Sequence, residues 1–240
     1  MKYLLVPMAA CILLPAAFLF MPFSSMTKMT ELEAQVNELE EKLKSKSILV
    51  IGVQGGKGSF NELAAQTQMS EKPQQNFELK YLHTTENVLS ALDKNEIEIG
   101  QFAVRNTLGG EVAESAEAMK RHKFEVIREF KIKVAHNLMI LPSATASDIK
   151  IIVAHPQAFK QCQNNLAKKY PNLKQFSGDG DLIDPSTWAE RLGRGKLDKT
   201  YAILGNRALA KLNGLKMLEE NLQDSNENYT TFLWVQKQLK

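Results

Sequence analysis

An α/β fold is predicted for residues 47–240 on three observations. Apolar runs of strand length alternate with amphipathic stretches at helical spacing. Several of the joints between them carry glycine, asparagine or proline, the residues that turns demand. The clearest unit is segment 151–162, IIVAHPQAFKQC. Ile151–Ala154 is predicted as a buried strand and His155-Pro156-Gln157 as a polar corner. A helix follows whose apolar face holds Phe159, Cys162 and Leu166. Pro156 suits a first helical turn, where its missing N–H costs nothing. A corner at the carboxyl end of a strand, facing free N–H groups at a helix start, is where open α/β sheets hold anions and substrates. An ordinary strand–helix connection has the same pattern.

The chain of 240 residues is long enough for one large domain or two lobes with a sizeable core. A net charge of +3 without a dense Lys/Arg tract does not point to nucleic acid. Two cysteines, Cys11 in an apolar run and Cys162 on a helix, do not indicate a disulfide framework. The four histidines (His83, His122, His136, His155) lack metal-ligand spacing, so no metal is expected.

Residues 1–27 are expected to form a signal anchor. Residues 3–23 are uncharged and long enough at helical rise to span a hydrocarbon core. A cleaved signal peptide is the rival reading, although no good cleavage site follows. Sparse flanking lysines, Lys2 and Lys28, fit an N-in, C-out orientation and an extracytoplasmic domain. Over 28–46, Met29, Leu32, Val36, Leu39 and Leu43 alternate spacings of three and four. A short coiled coil and a solvated helical spacer both fit, and Thr30 with Glu33 makes a capping box.

From Ser47 the α/β pattern begins. Ile48–Val53 is a predicted strand, followed by Gln54-Gly55-Gly56-Lys57-Gly58-Ser59 and a helix. The glycines do not match a Walker P-loop, because Gly58 stands where Ser or Thr should follow Lys57. They do expose backbone N–H groups at a helix start. Phe77–Leu82 and Ile97–Val104 are further strands, and Thr85–Leu92 and Glu111–Arg121 helices. Val126–Ile140 alternates over much of its length and is read as one long extended segment. Asp179–Asp184 is a loop, Pro185–Leu192 a helix, Tyr201–Leu204 a strand, Asn206–Leu212 a helix, and Thr230–Val235 the closing strand.

Four stretches, in order, resemble motifs of the prephenate dehydratase family. Gly55-Gly56-Lys57-Gly58-Ser59-Phe60-Asn61-Glu62-Leu63-Ala64-Ala65 resembles its N-terminal glycine motif. Arg105-Asn106-Thr107 stands where the family has Glu-Asn-Ser. His155-Pro156-Gln157-Ala158 is similar to its His-Pro-Gln-Ala helix start. Asn228-Tyr229-Thr230-Thr231-Phe232 resembles its Asn-x-Thr-Arg-Phe. His136-Asn137-Leu138 also fits a His-x-Leu position. The resemblance covers roughly residues 47–235. It implies a two-lobed, type II periplasmic-binding-protein-like domain with the site between the lobes, a homodimer, and cofactor-free conversion of prephenate to phenylpyruvate, water and carbon dioxide. The family's regulatory ACT domain and a fused chorismate mutase are not expected.

Thr230 is the expected catalytic residue, hydrogen-bonding the departing hydroxyl. Ser59, Arg105, Asn106, Thr107, His155, Gln157 and Thr231 are the expected contacts to a small carboxylate ligand. Capping or loop roles are the competing readings for Ser59, His155 and Gln157. His136 is expected to be a satisfied core or cleft residue, Cys162 buried and inert, and Phe232 and Trp234 packed on their strand. Arg105 and Thr231 depart from the family, and Arg105 is expected to supply the positive charge that Thr231 does not. Those departures leave two alternatives to a lyase: a drifted, membrane-tethered binding module, and an interaction protein whose coiled coil does the work.

Overall fold

The computed structural model describes residues 30–37 and 48–238. The chain divides into two units, residues 1–47 and 48–240. In the first, residues 30–37 are helical (α1), with Leu32 and Val36 exposed. The expected anchor, residues 1–27, and the remainder of the expected coiled coil lie outside the described residues. Among the described residues no helix is long and apolar enough to cross a membrane.

The second unit begins with alternating strands and helices: β1 (Leu49–Val53), α2 (Phe60–Ser70), β2 (Phe77–Tyr81), α3 (Thr85–Asp93) and β3 (Ile99–Asn106). The short β4 (Gly110–Glu111), α4 (Ala113–Met119) and the long β5 (Phe124–Lys133) complete this half. The chain then crosses to a second sheet with β6 (Asn137–Ile140), β7 (Ile151–Val153), α5 (Pro156–Gln161), α6 (Gln163–Lys169) and β8 (Lys174–Phe176). Next come α7 (Pro185–Gly193), β9 (Tyr201–Gly205), α8 (Ala208–Asn213) and β10 (Lys216–Glu219), before β11 (Tyr229–Lys237) returns to the first sheet.

The first sheet runs β2-β1-β3-β11-β5, with β4 paired to β3. Its β1, β2 and β3 are parallel, and β11 is antiparallel to both neighbours. The second sheet runs β10-β6-β9-β7-β8, with β7 parallel to β8 and β9. Two connections join the sheets, residues 134–136 and 220–228.

Alternation along each strand explains the layers. Phe102, Leu233 and Val235 pack on Val88, Leu89 and Leu92 of α3. On the opposite face, Ile51, Val53 and Trp234 pack on Ala65 and Met69 of α2. In the second sheet Ile152 and Leu204 meet Cys162 and Leu166, while Val153 and Ile203 meet Trp188 and Leu192. Each fully buried side chain of this size contributes roughly 1.5–3 kcal/mol.

The structure corrects the extended reading of Val126–Ile140. That stretch lies in two strands of different sheets, broken at residues 134–136 where the chain crosses over. Its alternation is real in β5, but a period of two cannot report which sheet a strand joins. The third strand reaches Asn106, two residues beyond Val104, because β11 and β4 pair with it there. Strands β8 and β10 were not anticipated; their mostly charged and polar residues give little apolar pattern.

Candidate functional site

A cavity of about 110 Å³ lies between the two sheets. The β1–α2 corner supplies Gln54, Gly55 and Ser59, and β11 supplies Thr230 and Phe232. The crossover supplies His136, and the α5 start supplies His155, Gln157 and Gln161. His83 and Asp184 form a further polar edge, and Asn61 and Asn206 also line the cavity.

Local chemistry sets each position. Gly55 holds φ +86°, and a Cβ at Gly56 would come within 2.2 Å of Ser186 Oγ, so the corner passes close to α7 only as glycine. Ser59 caps α2, its Oγ accepting from Glu62 N at 3.2 Å. Gln157 Nε2 donates to Gly110 O at 2.9 Å, tying α5 to the first sheet. His155 caps α5, its Nδ1 accepting from Gln157 N at 3.1 Å. Burial depresses the His155 pKa to about 4.

Asn106 organises the wall behind Thr230. Its Oδ1 accepts from Leu108 N (2.8 Å) and Gly109 N (2.9 Å). Its Nδ2 therefore donates, its two N–H groups shared among Asn228 Oδ1 at 2.7 Å, Thr230 Oγ1 at 2.9 Å and Tyr229 O at 3.1 Å. Asn228 Nδ2 in turn donates to Gln161 Oε1 at 2.8 Å, and that oxygen also meets His136 Nε2 at 2.8 Å. The relay runs from the first sheet into α5 and back to the crossover without a charged group. His136 is fully buried, and burial depresses its pKa to about 4.

The opposite edge is titratable. His83 takes a left-handed backbone, φ +64°, and its Nδ1 lies 3.0 Å from Asp184 Oδ2. Asp184 is 3% exposed and caps α7, accepting from Ser186 N at 3.0 Å and from the Ser186 hydroxyl. Hydrogen bonding to Asp184 raises the His83 pKa above its usual value. Among the described residues no Lys or Arg lines the cavity, and Asp184 is its one carboxylate. Among them, too, no three His, Cys, Asp or Glu side chains converge as metal ligands.

Of the expected site residues, Thr230, Ser59, His155 and Gln157 line the cavity, and Asn106 stands behind Thr230. Arg105, Thr107 and Thr231 do not line it. Thr231 pairs in register with Arg105, on the strand face opposite Thr230, and Arg105 is exposed. The two departures are thus neighbours, as compensation would require, but they face away from the cavity. Thr107 bonds Glu227 O and Tyr229 N at the exposed rim.

Phe232 both packs on Ile132 and Val134 and lines the cavity, whereas Trp234 is buried with its Nε1 donating to Gln101 Oε1 at 2.7 Å. Cys162 is buried, and burial pushes its thiol pKa up. Sequence reasoning missed His83, Asp184, Gln54 and Gln161. Asp184 before Pro185 is a helix-start signal that was available; the others carry no local signal.

The family model described as prephenate dehydratase matches residues 51–240. Arogenate dehydratase 2 of Petunia hybrida is 26% identical over 192 residues, covering 80% of this chain and 46% of the relative. A bifunctional chorismate mutase/prephenate dehydratase of Buchnera aphidicola is 28% identical over 188 residues, covering 78% and 46%. The chain thus spans about half the length of the curated relatives it matches. The solved prephenate dehydratase of Arthrobacter aurescens, in complex with L-Phe, superposes with a TM-score of 0.63 at 22% identity, covering 80% of this chain and 61% of that one. With a family match across both sheets and the motifs of β1–α2, α5 and β11 gathered at one cavity, the chain belongs to the prephenate dehydratase family.

Proposed function

We propose that the cavity carries out the decarboxylating dehydration of prephenate to phenylpyruvate. The electrons of the breaking ring-carbon–carboxylate bond enter the ring, carbon dioxide departs, and the ring hydroxyl leaves, taking a proton from solvent to become water. The observation that carries this reading is the state of Thr230. Its Oγ1 accepts from Asn106 Nδ2 at 2.9 Å, so its own proton is free to donate into the cavity. A hydroxyl whose oxygen is already held by a donor is a better donor in turn. Thr230 therefore stabilises the departing oxygen by hydrogen bonding and is no general acid.

One observation favours a second reading, a binding module that closes on a small carboxylate in the manner of type II periplasmic binding proteins. Among the described residues no Lys or Arg lines the cavity, so its neutral donors suit a single carboxylate better than the two that prephenate carries. The decisive experiment adds prephenate to the full chain and follows phenylpyruvate against the spontaneous reaction. The lyase reading expects turnover that falls by roughly 100-fold in Thr230→Val and survives in Thr230→Ser. A folded chain that binds prephenate without turnover supports the binding module instead.

The same reading places the chain on a membrane through residues 3–23, with the domain outside the cytoplasm and paired as a homodimer. Membrane fractionation with protease protection of residues 47–240 tests the first part. A domain sealed from external protease in intact cells overturns the orientation, and sedimentation of the purified chain decides the dimer.

A further inference from the structure

Two nitrogen atoms in the cavity wall are buried and have no hydrogen-bond partner among the described residues: His136 Nδ1 and His155 Nε2. Their protonation states follow from fixed donors. Gln157 N can only donate, so His155 Nδ1 accepts and the ring proton sits on Nε2. The amides of Leu108 and Gly109 can only donate, so the relay through Asn106 and Asn228 has one polarity. It ends with Gln161 Oε1 as an acceptor, which places the His136 proton on Nε2 and leaves Nδ1 a bare lone pair. Both rings stay neutral at pH 7, since burial holds each near a pKa of about 4. The cavity wall therefore holds one N–H and one lone pair, neither satisfied among the described residues.

We infer that His155 Nε2–H and His136 Nδ1 form a preset donor–acceptor pair that receives a hydroxyl of the ligand, acting as positioning residues for it. A hydroxyl satisfies both atoms, accepting from His155 and donating to His136. A carboxylate sets its lone pairs against that of His136, and an ammonium sets its N–H groups against His155. The inference rests on prephenate as the ligand of the proposed function, whose single hydroxyl is the group that leaves. It adds to that reading a means of orienting the leaving group without a cation.

Two substitutions separate this role from a structural one. His155→Asn keeps a capping oxygen for Gln157 N but removes the donor into the cavity. His136→Gln keeps a donor to Gln161 Oε1 but removes the lone pair. Binding of prephenate and of phenylpyruvate, which lacks the ring hydroxyl, is measured on the full chain in a Thr230→Val background so that prephenate survives. Each substitution is expected to weaken prephenate binding about 10-fold and to leave phenylpyruvate binding within about 2-fold. Nitrogen-15 imidazole resonances of the ligand-free wild-type chain should show both protons on Nε2, and in the Thr230→Val chain prephenate, but not phenylpyruvate, should shift both rings. A proton on Nδ1 of either ring, unchanged prephenate affinity in both variants, or equal losses for the two ligands overturns the inference. Prephenate binding by the wild-type chain without turnover overturns the elimination alone; no prephenate binding overturns both.

Discussion

The two edges of the cavity join the same pair of sheets by different means. On one, Asn106, Asn228, Gln161 and His136 form a neutral relay whose polarity is dictated by backbone amides. On the other, His83 and Asp184 form a titratable pair that hangs on one imidazole. A neutral relay holds its geometry across the working pH range and presents chosen donors and acceptors to a ligand. An ion pair gives a stronger single contact, but one that solvent and pH weaken. The contrast explains why the proposed chemistry sits beside the amides: an atom that must always donate or always accept belongs to a network that does not titrate.

Acid is the harshest way to break this contrast. A histidine whose folded pKa lies below its unfolded value of 6.5 adds stability above pH 6.5 and loses it as pH falls toward the folded value. For His136 and His155, with folded pKa values of about 4, that loss is roughly 3 kcal/mol per ring between pH 6.5 and 4. Denaturant midpoints across this window should fall steeply for wild type and about half as far for His136→Gln. An equal fall in both proteins contradicts a buried, neutral His136. The His83 edge has the opposite sign. The raised His83 pKa adds stability below pH 6.5 that is lost as pH rises through the folded value, by no more than about 1 kcal/mol because solvent reaches the imidazole. Wild type minus His83→Gln isolates it from His122, which shifts the same way elsewhere.

Asn106→Ala attacks the relay at its source and strands Asn228 Oδ1 and the Leu108 and Gly109 amides. A loss of about 2–3 kcal/mol in unfolding free energy is expected, with turnover falling as far as in Thr230→Val. Wild-type stability in that variant removes Asn106 from the role assigned here. The smallest effect sharpens the comparison from outside. Arg105→Glu, on the exposed face opposite Thr230, should leave ligand affinity within about 2-fold. A larger change, read by titration calorimetry, restores Arg105 as a charge felt in the cavity.

Much of this arrangement was legible in the chain. The Ile151–Val153 strand, the His155 corner with Pro156 at its helix start, and the Ser59 cap all appear where the local pattern puts them. The same holds for the closing strand, found at Tyr229–Lys237. Legibility failed where a partner lies far away. Asp184 and His83 are 101 positions apart, and Asn106 and Asn228 are 122 apart. Arg105 and Thr231 do not line the cavity, and a motif read as a string cannot say which of two adjacent strand residues faces it.

Local sequence was enough for most of the helices and apolar strands, for the Ser59 and His155 caps and for the family motifs, because hydrophobic period and turn chemistry act over a few residues. Which face of β11 meets the cavity, the one carrying Thr230 and Phe232, was set only by how the two sheets come together. Tertiary structure also decided the protonation of His136, which depends on a relay begun by backbone amides of another sheet. Those properties belong to pairs of distant atoms, and folding alone brings such atoms within hydrogen-bonding distance.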